Sequence, residues 1–431
     1  MSKQQVSIFW FRRDLRLDDN AGLFQALQAN EVVIPVFIFD DAILDKLPKN
    51  DARVNFIHES LSSIQDVLLS IGSSLLVKKG ATHTVWKSLL EEFDIQNVFY
   101  NKDYEPYALE RDAVICELLQ QSNVKAQAFK DQVIFEEKEI TKTDGLPYTV
   151  YTPFKNKWLE KYKTMTPVVE YDTESLYVNF HKNTYAMPTL NEIGFEKSVI
   201  TVKPHNLRFI SNYEETRDFP AMDKTSYLSP HLRFGTVSVR KLVNWAFHKN
   251  DVFLSELIWR EFFMQILYSF PKVVNRNFKS AYDGIEWRND EADFKRWCEG
   301  KTGYPMVDAG MRQLNETGYM HNRVRMVVAS FLCKHLLIEW QWGEAYFAQK
   351  LLDYEMSANV GNWQWAAGTG CDAAPYFRVF NPEIQQKKFD EKGAYIRKWI
   401  KEFDLGYGKP MVEHAMARDR AIATYKAGIL K

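Results

Sequence analysis

The first third of the chain alternates strand-like and helix-like runs, and this alternation restricts the fold more than any other feature. Apolar runs suited to strands begin near Val6, Val32, Ser74, Asn97 and Val124. Amphipathic runs suited to helices lie between them and begin near Ala21, Asp51, Ala81 and Pro106. Strands that alternate with helices in this way form a parallel sheet with right-handed crossovers and helices on both faces. We therefore predict a doubly wound, Rossmann-like α/β domain over residues 1–135.

The pattern changes twice after that point. Residues 136–205 contain many turn-forming residues, as in TKTDGLPYTVYTPF, and predict a connecting segment. From about Tyr213 onward, long runs with helical periodicity follow, among them SELIWREFFMQILYSF and YMHNRVRMVVASFLCKHLLIEW. A chain of 431 residues is too long for one ordinary core. We predict a second, all-α domain over residues 206–431.

Composition narrows the class of protein. The formal net charge is -1, so a nucleic-acid site would have to be a concentrated basic patch. The four cysteines are far apart and form no Cys-x-x-Cys pair, which indicates neither a disulfide framework nor a zinc site. No apolar run approaches the ~20 residues that span a bilayer. The N-terminus lacks the order of a secretory signal. We expect a cytoplasmic protein that binds no metal, associates with no membrane and acts as a monomer.

The first domain contains no G-x-G-x-x-G or Walker loop, so an ordinary nucleotide site is not indicated there. A different candidate is KTSYLSPHLRFG, which starts at Lys224 and places small hydroxyl residues ahead of a predicted helix. Hydroxyls and backbone N–H groups at a helix start can hold phosphate oxygens. They can equally well cap the helix, and the residues alone leave both interpretations open.

The segment SELIWREFF has helical periodicity and combines a carboxyl group with indole and phenyl rings. Helical geometry puts Glu256, Trp259 and Phe263 on one face, with Arg260 one turn from Glu256. A carboxyl beside an indole makes a pocket with polar and apolar walls. The alternative is an ordinary helix with a surface ion pair between Glu256 and Arg260.

The helical run that contains MHNRVRM places Asn322 and Met326 on a common face, with Arg323 and Arg325 beside them. An amide, a thioether and two arginines suit contacts with a nucleic-acid base and with phosphates. The same residues also suit a routine amphipathic helix.

The segment Asn359–Pro382, NVGNWQWAAGTGCDAAPYFRVFNP, is rich in aromatic side chains. If Trp363 and Trp365 lie on a helix, their spacing turns the rings toward different sides. With Trp340 and Trp287 added, three indoles could form a chain that relays an electron from the surface to a buried oxidant. Most tryptophans simply pack in cores, and spacing along the chain does not establish contacts.

These segments, together with FWFRRDLRLDDN at Phe9, resemble the photolyase and cryptochrome family over essentially the whole chain. The resemblance implies an N-terminal α/β domain, a long connecting segment and a helical domain that holds U-shaped FAD, active as FADH-. Asn359 would lie near the reactive edge of the isoalloxazine. The residues that would bind FAD are Tyr213, Thr225, Ser226, Tyr227, Leu228, Ser229, Glu256, Arg260, His321, Arg325, Asp353, Tyr354, Glu355 and Asn359.

The resemblance also implies roles in electron transfer and in recognition of the substrate. Trp363, Trp340 and Trp287 match the family's electron relay, in order from flavin to surface. Glu256, Asn322 and Asn359 would carry the catalytic step. The residues that would contact the lesion or the DNA phosphates are Trp259, Asn322, Arg323, Met326, Trp365 and Arg378.

Asn322 and Met326 are similar to the branch that repairs cyclobutane pyrimidine dimers, the class I-like DNA photolyases, whereas the (6-4) branch typically carries histidines here. The resemblance thus implies a deoxyribodipyrimidine photo-lyase, a carbon–carbon lyase that acts on UV-damaged DNA and associates with the nucleoid. The main alternative is a cryptochrome-like photoreceptor that signals through a protein partner, although no long signalling tail is expected. A second alternative is a DNA-binding protein without photochemistry.

The chain departs from the family pattern at two places. It contains Asp353, Tyr354 and Glu355 where many relatives have Asp-Gly-Asp or Asp-Ala-Asp. The segment YEPYALERD, from Tyr104, does not match the polar pair of folate-binding bacterial enzymes. A second, antenna chromophore is therefore left without an assigned identity.

Overall fold

The computed structural model describes residues 4–429. The chain divides into two compact units, each assembled from separate segments. The first unit comprises Met1–Glu139, Glu160–Pro204 and Leu228–His248, and the second comprises Ile140–Leu159, His205–Tyr227 and Lys249–Lys431. The predicted domain boundaries after residues 135 and 205 are not tested by this division and stay a prediction.

Five parallel strands form the sheet of the first unit. They are β1 Gln5–Phe11, β2 Val33–Asp40, β3 Leu76–Gly80, β4 Asp94–Asn101 and β5 Lys125–Phe129. Their order is β3-β2-β1-β4-β5, and in this register Phe9 lies opposite Pro35 on β2 and Phe99 on β4. The predicted doubly wound α/β fold is confirmed.

Both faces of this sheet are buried. Phe9 and Phe11 of β1 pack in one apolar cluster, and Ile8 and Trp10 pack in another. Successive side chains of a strand point to opposite faces, so the two clusters cover the two sides of the sheet. Burial on both sides explains why these strands are continuous apolar runs.

Helices account for most of the remaining structure. Those among the strands are α1 Ala21–Ala29, α2 Asp41–Leu44, α3 Ala52–Ser70, α4 Thr82–Glu92 and α5 Pro106–Gln121. The later ones are α6 Tyr151–Met165, α7 Tyr213–Thr216, α8 Leu228–Phe234, α9 Val239–Phe247, α10 Asp251–Ser269, α11 Glu291–Cys298, α12 Pro305–Thr317, α13 Asn322–Ser330, α14 Trp340–Lys350, α15 Met356–Ala367, α16 Pro382–Phe389, α17 Ala394–Trp399 and α18 His414–Ile429. Between residues 4 and 429, no helix combines the length and the apolar character needed to cross a membrane.

Buried charges attach the segment Leu228–His248 to the rest of the first unit. Arg16 pairs with Asp131 at 2.8 Å, and Arg240 of α9 pairs with Asp131 at 2.8 Å and with Asp19 at 3.0 Å. We call these four residues the buried network. Two of its residues, Arg16 and Asp19, come from the FWFRRDLRLDDN motif, so part of that family marker serves the stability of the first unit.

The second unit has its own apolar core, in which two glycines permit close packing. A Cβ atom at Gly343 of α14 would lie 2.1 Å from the Trp363 ring. A Cβ atom at Gly361 of α15 would lie 2.2 Å from the Phe263 ring of α10. Any side chain at either position would have to displace an aromatic ring, so these glycines set how closely α15 approaches its neighbours.

Candidate active site

Four ion pairs join four chain segments of the second unit into a closed ring. Glu256 of α10 pairs with Arg217 at 2.6 Å, and the adjacent Asp218 pairs with Arg323 of α13 at 2.7 Å. This half of the ring connects α10 to α13 through the end of α7.

The other half of the ring returns from α13 to α10. Arg325 pairs with Asp353 at 2.8 Å, and Glu355, two residues later, pairs with Arg260 of α10 at 3.3 Å. Arg260 lies one turn after Glu256, which closes the circuit. We call this set the ion-pair ring: Arg217, Asp218, Glu256, Arg260, Arg323, Arg325, Asp353 and Glu355.

The ring bears on one of the two interpretations of α10, and the pocket with polar and apolar walls stays a prediction. The alternative predicted a surface ion pair between Glu256 and Arg260. This is wrong, because the ion pairs in the structure join each of these residues to a different partner. Glu256 pairs with Arg217 at the end of α7, and Arg260 pairs with Glu355 at the start of α15. Each residue therefore has a partner of opposite charge from another segment. A one-turn spacing permits an ion pair on a helix but does not select it over partners from other segments.

Burial shifts the pKa values of two groups at the site. Burial raises the pKa of Glu256, with Arg217 acting in the opposite direction. Burial, together with Arg325 and Arg323, lowers the pKa of His321 to about 4, while Asp218 acts in the opposite direction. His321 is the N-cap of α13, where its Nδ1 accepts a hydrogen bond from the Arg323 N–H at 3.2 Å. Both shifts favour the neutral forms of these side chains.

The predicted lesion-contacting side chains lie on three helices that are packed together. Trp259 is on α10, Asn322 and Met326 are on α13, and Trp365 is on α15, which packs against both α10 and α13. Asn322 is exposed and the other three are half-buried. Each therefore retains surface on which a ligand could pack.

Trp259 is stacked on a residue that was not among the predicted site residues. The ring of Tyr151, the first residue of α6, lies 3.6 Å from the Trp259 ring with an interplanar angle of 9°. The Trp259 ring also meets Phe262 edge-on at 5.5 Å. The indole is held by aromatic contacts on more than one side.

The three tryptophans of the predicted electron relay belong to one apolar cluster. Trp363 and Trp340 are buried in it, and Trp287 packs against it and is half-buried. The Trp363 ring lies against Gly343, one turn after Trp340 on α14. The Trp340 Nε1 donates to Asn277 Oδ1 at 2.9 Å. Their assignment to electron transfer stays a prediction.

Asn359 is held by a carboxylate that was not predicted. Its side-chain Nδ2 donates to Glu344 Oε1 at 2.8 Å and to the Glu344 carbonyl oxygen at 3.1 Å. Burial raises the pKa of Glu344, while hydrogen bonds from Asn359 and Tyr354 act to lower it. Two of the predicted cofactor residues, Asn359 and Tyr354, are therefore oriented by the same carboxyl group.

The remaining predicted cofactor residues lie near the start of the helical region. Tyr213, half-buried, packs edge-on against Phe253 at 5.4 Å. Of the predicted phosphate-binding residues, Thr225, Ser226 and Tyr227 belong to the second unit, whereas Leu228 and Ser229 begin α8 in the first unit. Thr225 and Ser229 are exposed.

The two predicted DNA-phosphate contacts differ in their surroundings. Arg378 is exposed, and its guanidinium lies over the Phe380 ring at 5.2 Å. Arg323 belongs to the ion-pair ring and also lies over the Phe389 ring at 4.3 Å. A phosphate at Arg323 would therefore have to share the guanidinium with Asp218.

Comparison with known families accounts for both units. The model described as "DNA photolyase" matches residues 7–171, and the model described as "FAD binding domain of DNA photolyase" matches residues 253–405. A relative from Agrobacterium fabrum, named deoxyribodipyrimidine photo-lyase, is 35% identical over 97% of this chain and 97% of its own length. The chain belongs to the photolyase and cryptochrome family.

Solved structures of photolyases share the fold. A class III photolyase from Agrobacterium tumefaciens superimposes with a TM-score of 0.85 at 33% identity, and the match covers 100% of this chain and 99% of that one. An archaeal photolyase from Sulfolobus tokodaii, described with two FAD molecules, gives a TM-score of 0.83 at 33% identity, covering 98% of this chain and 100% of that one. FAD as the cofactor of this photolyase-family chain is thus confirmed.

The ion-pair ring contains polar atoms that fit such a cofactor. Within residues 4–429, Asp353 Oδ1 and Arg323 Nε are buried and have no hydrogen-bond partner. Ser357 Oγ, at the start of α15 and two residues after Glu355, is likewise buried without a hydrogen-bond partner among the described residues. A buried donor or acceptor without a partner costs free energy unless a ligand or water satisfies it. Asp353 and Arg323 therefore have hydrogen-bonding capacity left for a polar ligand.

Four residues of the site were missed by reasoning from sequence: Arg217, Asp218, Tyr151 and Glu344. The dipeptide Arg217-Asp218 could have been recognised in the sequence. Two adjacent residues of opposite charge can form ion pairs with an acidic residue of one helix and a basic residue of another. Tyr151 and Glu344 carried none, since a single aromatic or acidic residue acquires its role only from the helix against which it packs.

Proposed function

We propose that this enzyme repairs cyclobutane pyrimidine dimers in DNA under blue light. The observation that carries the proposal is the accessible surface of the predicted lesion contacts on α10, α13 and α15: Asn322 is exposed, and Trp259, Met326 and Trp365 are half-buried. Neighbouring helices that keep indoles, an amide and a thioether accessible are suited to a flat ligand with polar edges.

The side chains divide the recognition of the dimer among them. Trp259 and Trp365 would cover the apolar faces of the dimer, and Asn322 would bond the polar edge of a base. Burial raises the pKa of Glu256 while Arg217 lowers it; the carboxylic acid form, which would give up the ion pair with Arg217, could donate a hydrogen bond to a dimer carbonyl as negative charge develops there. Photolyases are an established example of enzymes that take the target out of the base stack, at a cost of a few kcal/mol.

The ion-pair ring would hold the cofactor near these lesion contacts. Asp353, with its free Oδ1, and Arg325 and Arg260 would bind and orient FAD. Reduced FAD held there would supply an electron to the dimer in light and would take it back after the two carbon–carbon bonds of the dimer open. The residues of the chain provide orientation, charge stabilisation and exclusion of water.

Repair is tested with reduced protein and two oligonucleotides, one with a cyclobutane dimer and one with a (6-4) lesion, in blue light and in darkness. We expect light-dependent restoration of the cyclobutane lesion alone. Restoration of the (6-4) lesion would contradict the substrate assignment, and restoration of neither would favour a photoreceptor that signals through a protein partner.

The variant Asn322→Ala should lower repair of the cyclobutane lesion about tenfold or more, because it removes a hydrogen bond to a base edge. Asn191→Ala, which changes an exposed asparagine of the first unit, serves as the matched control and should leave repair unchanged.

DNA affinity should fall as the salt concentration rises, since phosphate contacts release counterions.

The proposed relay of Trp363, Trp340 and Trp287 is tested separately, because it would supply electrons only to reactivate oxidised cofactor. Trp287→Phe should block photoreduction and leave repair by chemically reduced enzyme intact. Trp342→Phe, a half-buried tryptophan of α14 outside the predicted relay, should alter neither. Loss of repair in chemically reduced Trp287→Phe would count against separate roles.

We include a second, light-harvesting chromophore in the proposal only because the chain is similar to the S. tokodaii photolyase. Chromatography of the pigments released on denaturation would identify it. The monomeric state, the cytoplasmic and nucleoid location and the class I-like assignment stay predictions.

A further inference from the structure

The stack between Tyr151 and Trp259 gives Tyr151 a place in lesion recognition that family resemblance did not assign. The ring centroids are 3.6 Å apart and the planes are nearly parallel. Tyr151 is buried, whereas Trp259 keeps part of its surface exposed. Protein therefore covers one face of the indole, and a ligand can reach only the part that remains.

The Tyr151 hydroxyl is anchored to the helix that carries Trp259. It lies 2.7 Å from the Ser255 carbonyl oxygen and 2.6 Å from the Ser255 hydroxyl oxygen. Ser255 precedes Trp259 by one turn of α10, so the anchor and the stacked indole belong to one helix. Tyr151 cannot slide along the indole without losing a hydrogen bond.

The backbone of Tyr151 is attached to a different segment. Its N–H donates to Asp372 Oδ2 at 3.0 Å. Asp372 lies in the segment that follows α15, the helix that carries Trp365. Tyr151 thus connects α10, which carries Trp259, with the segment that follows α15.

We propose that Tyr151 is a positioning residue that fixes the Trp259 ring for stacking on a pyrimidine dimer. The inference rests on the proposed function, since it assumes that Trp259 contacts the lesion. An indole that is already ordered loses less rotamer freedom when a ligand stacks on it. Tyr151 should therefore affect affinity for the lesion and leave both binding of undamaged DNA and splitting of the bound dimer unchanged.

The test compares dissociation constants for a dimer-containing duplex and for the same duplex without damage. Tyr151→Leu should reduce the preference for the dimer by about 3- to 10-fold, the usual range for an aromatic stack. Tyr151→Phe keeps the ring and should recover most of that preference. Tyr148→Leu is the matched control, because Tyr148 packs against Phe154 at 6.5 Å and belongs to the same stretch of chain.

Two further measurements separate positioning from a purely structural role. FAD content and repair per absorbed photon at saturating DNA should match the wild type in Tyr151→Leu. If Tyr151→Leu fails to retain FAD, Tyr151→Met replaces it with the same expectations. A fall in undamaged-DNA affinity equal to the fall in dimer affinity would overturn the proposal.

A double-mutant cycle with Trp259→Ala separates this inference from the proposed function. If Tyr151 acts through Trp259, Tyr151→Leu has no further effect on dimer preference in the Trp259→Ala background. A full additive effect there contradicts positioning. If Trp259→Ala by itself leaves the preference unchanged, the proposed lesion site is wrong. If Trp259→Ala lowers the preference and Tyr151→Leu does not, only the role of Tyr151 is wrong.

Discussion

Buried charges serve different ends in the two units. In the buried network of the first unit, the paired side chains are at most 7% exposed. Each carboxylate accepts hydrogen bonds from three residues: Arg240, Ser238 and Tyr171 for Asp19, and Arg16, Arg240 and Ala21 for Asp131. In the ion-pair ring of the second unit, exposure reaches 34% and Asp353 Oδ1 is left without a partner among residues 4–429.

The difference indicates which charges are available to a ligand. A carboxylate that already accepts from several donors stabilises the fold and has little capacity left, whereas one that keeps an oxygen without a donor, as Asp353 does among the described residues, can bind something else. The same kind of ion pair is therefore structural in the first unit and suited to binding in the second.

The largest effect is expected in the buried network. Arg240→Met should lower the free energy of unfolding by about 3 to 5 kcal/mol, because it leaves Asp19 buried without its guanidinium partner. Urea unfolding measures this change. Lys241→Met, on the same helix but in an exposed pair with Asp18, should cost less than about 1 kcal/mol. Similar losses in both variants would break the comparison.

The next effect concerns pH and His321 of the second unit. The pKa of His321 is lowered to about 4, chiefly by burial. Between about pH 6.5 and about pH 4, the unfolded chain therefore binds a proton at His321 and the folded protein does not. Stability should therefore decrease as pH falls from about 6.5 to about 4, by about 3 kcal/mol in total.

His321→Asn should remove this part of the pH dependence, because asparagine caps a helix without titrating. The measurement is the free energy of unfolding of both proteins across that pH range. Equal slopes for the wild type and the variant would contradict the assignment to His321.

A smaller effect is expected for Asp353→Asn, which tests the spare capacity of the ion-pair ring directly. FAD should bind about 10- to 100-fold more weakly, the usual loss for a hydrogen bond to a charged group. Fluorescence titration of the apoprotein with FAD measures this. Asp404→Asn removes an exposed carboxylate paired with Arg397 and should leave FAD affinity unchanged.

The smallest effect extends the comparison from charge to packing. Gly343→Ala should cost about 1 to 3 kcal/mol, because the new methyl group would overlap the Trp363 ring. Gly408→Ala, where no atom lies within 4 Å of the added Cβ, should change stability by no more than about 0.5 kcal/mol. A neutral Gly343→Ala would show that α14 and α15 can separate at little cost.

Much of the fold followed from sequence, whereas the site residues named from the sequence stay predictions. The alternation of strands and helices predicted the five-stranded sheet, because a strand buried on both faces is a continuous apolar run whatever its neighbours are. The predicted chemistry of α10 and α13 followed from helical spacing, which places residues three or four apart on one face.

Tertiary structure alone decided the partners. Arg217 as the partner of Glu256, Asp218 as the partner of Arg323 and Tyr151 behind Trp259 each depend on segments that are distant in sequence. Periodicity encodes which face of a helix is buried, but an ion pair or a ring stack also requires the position and rotation of a second helix. Those are set by the packing of the whole core.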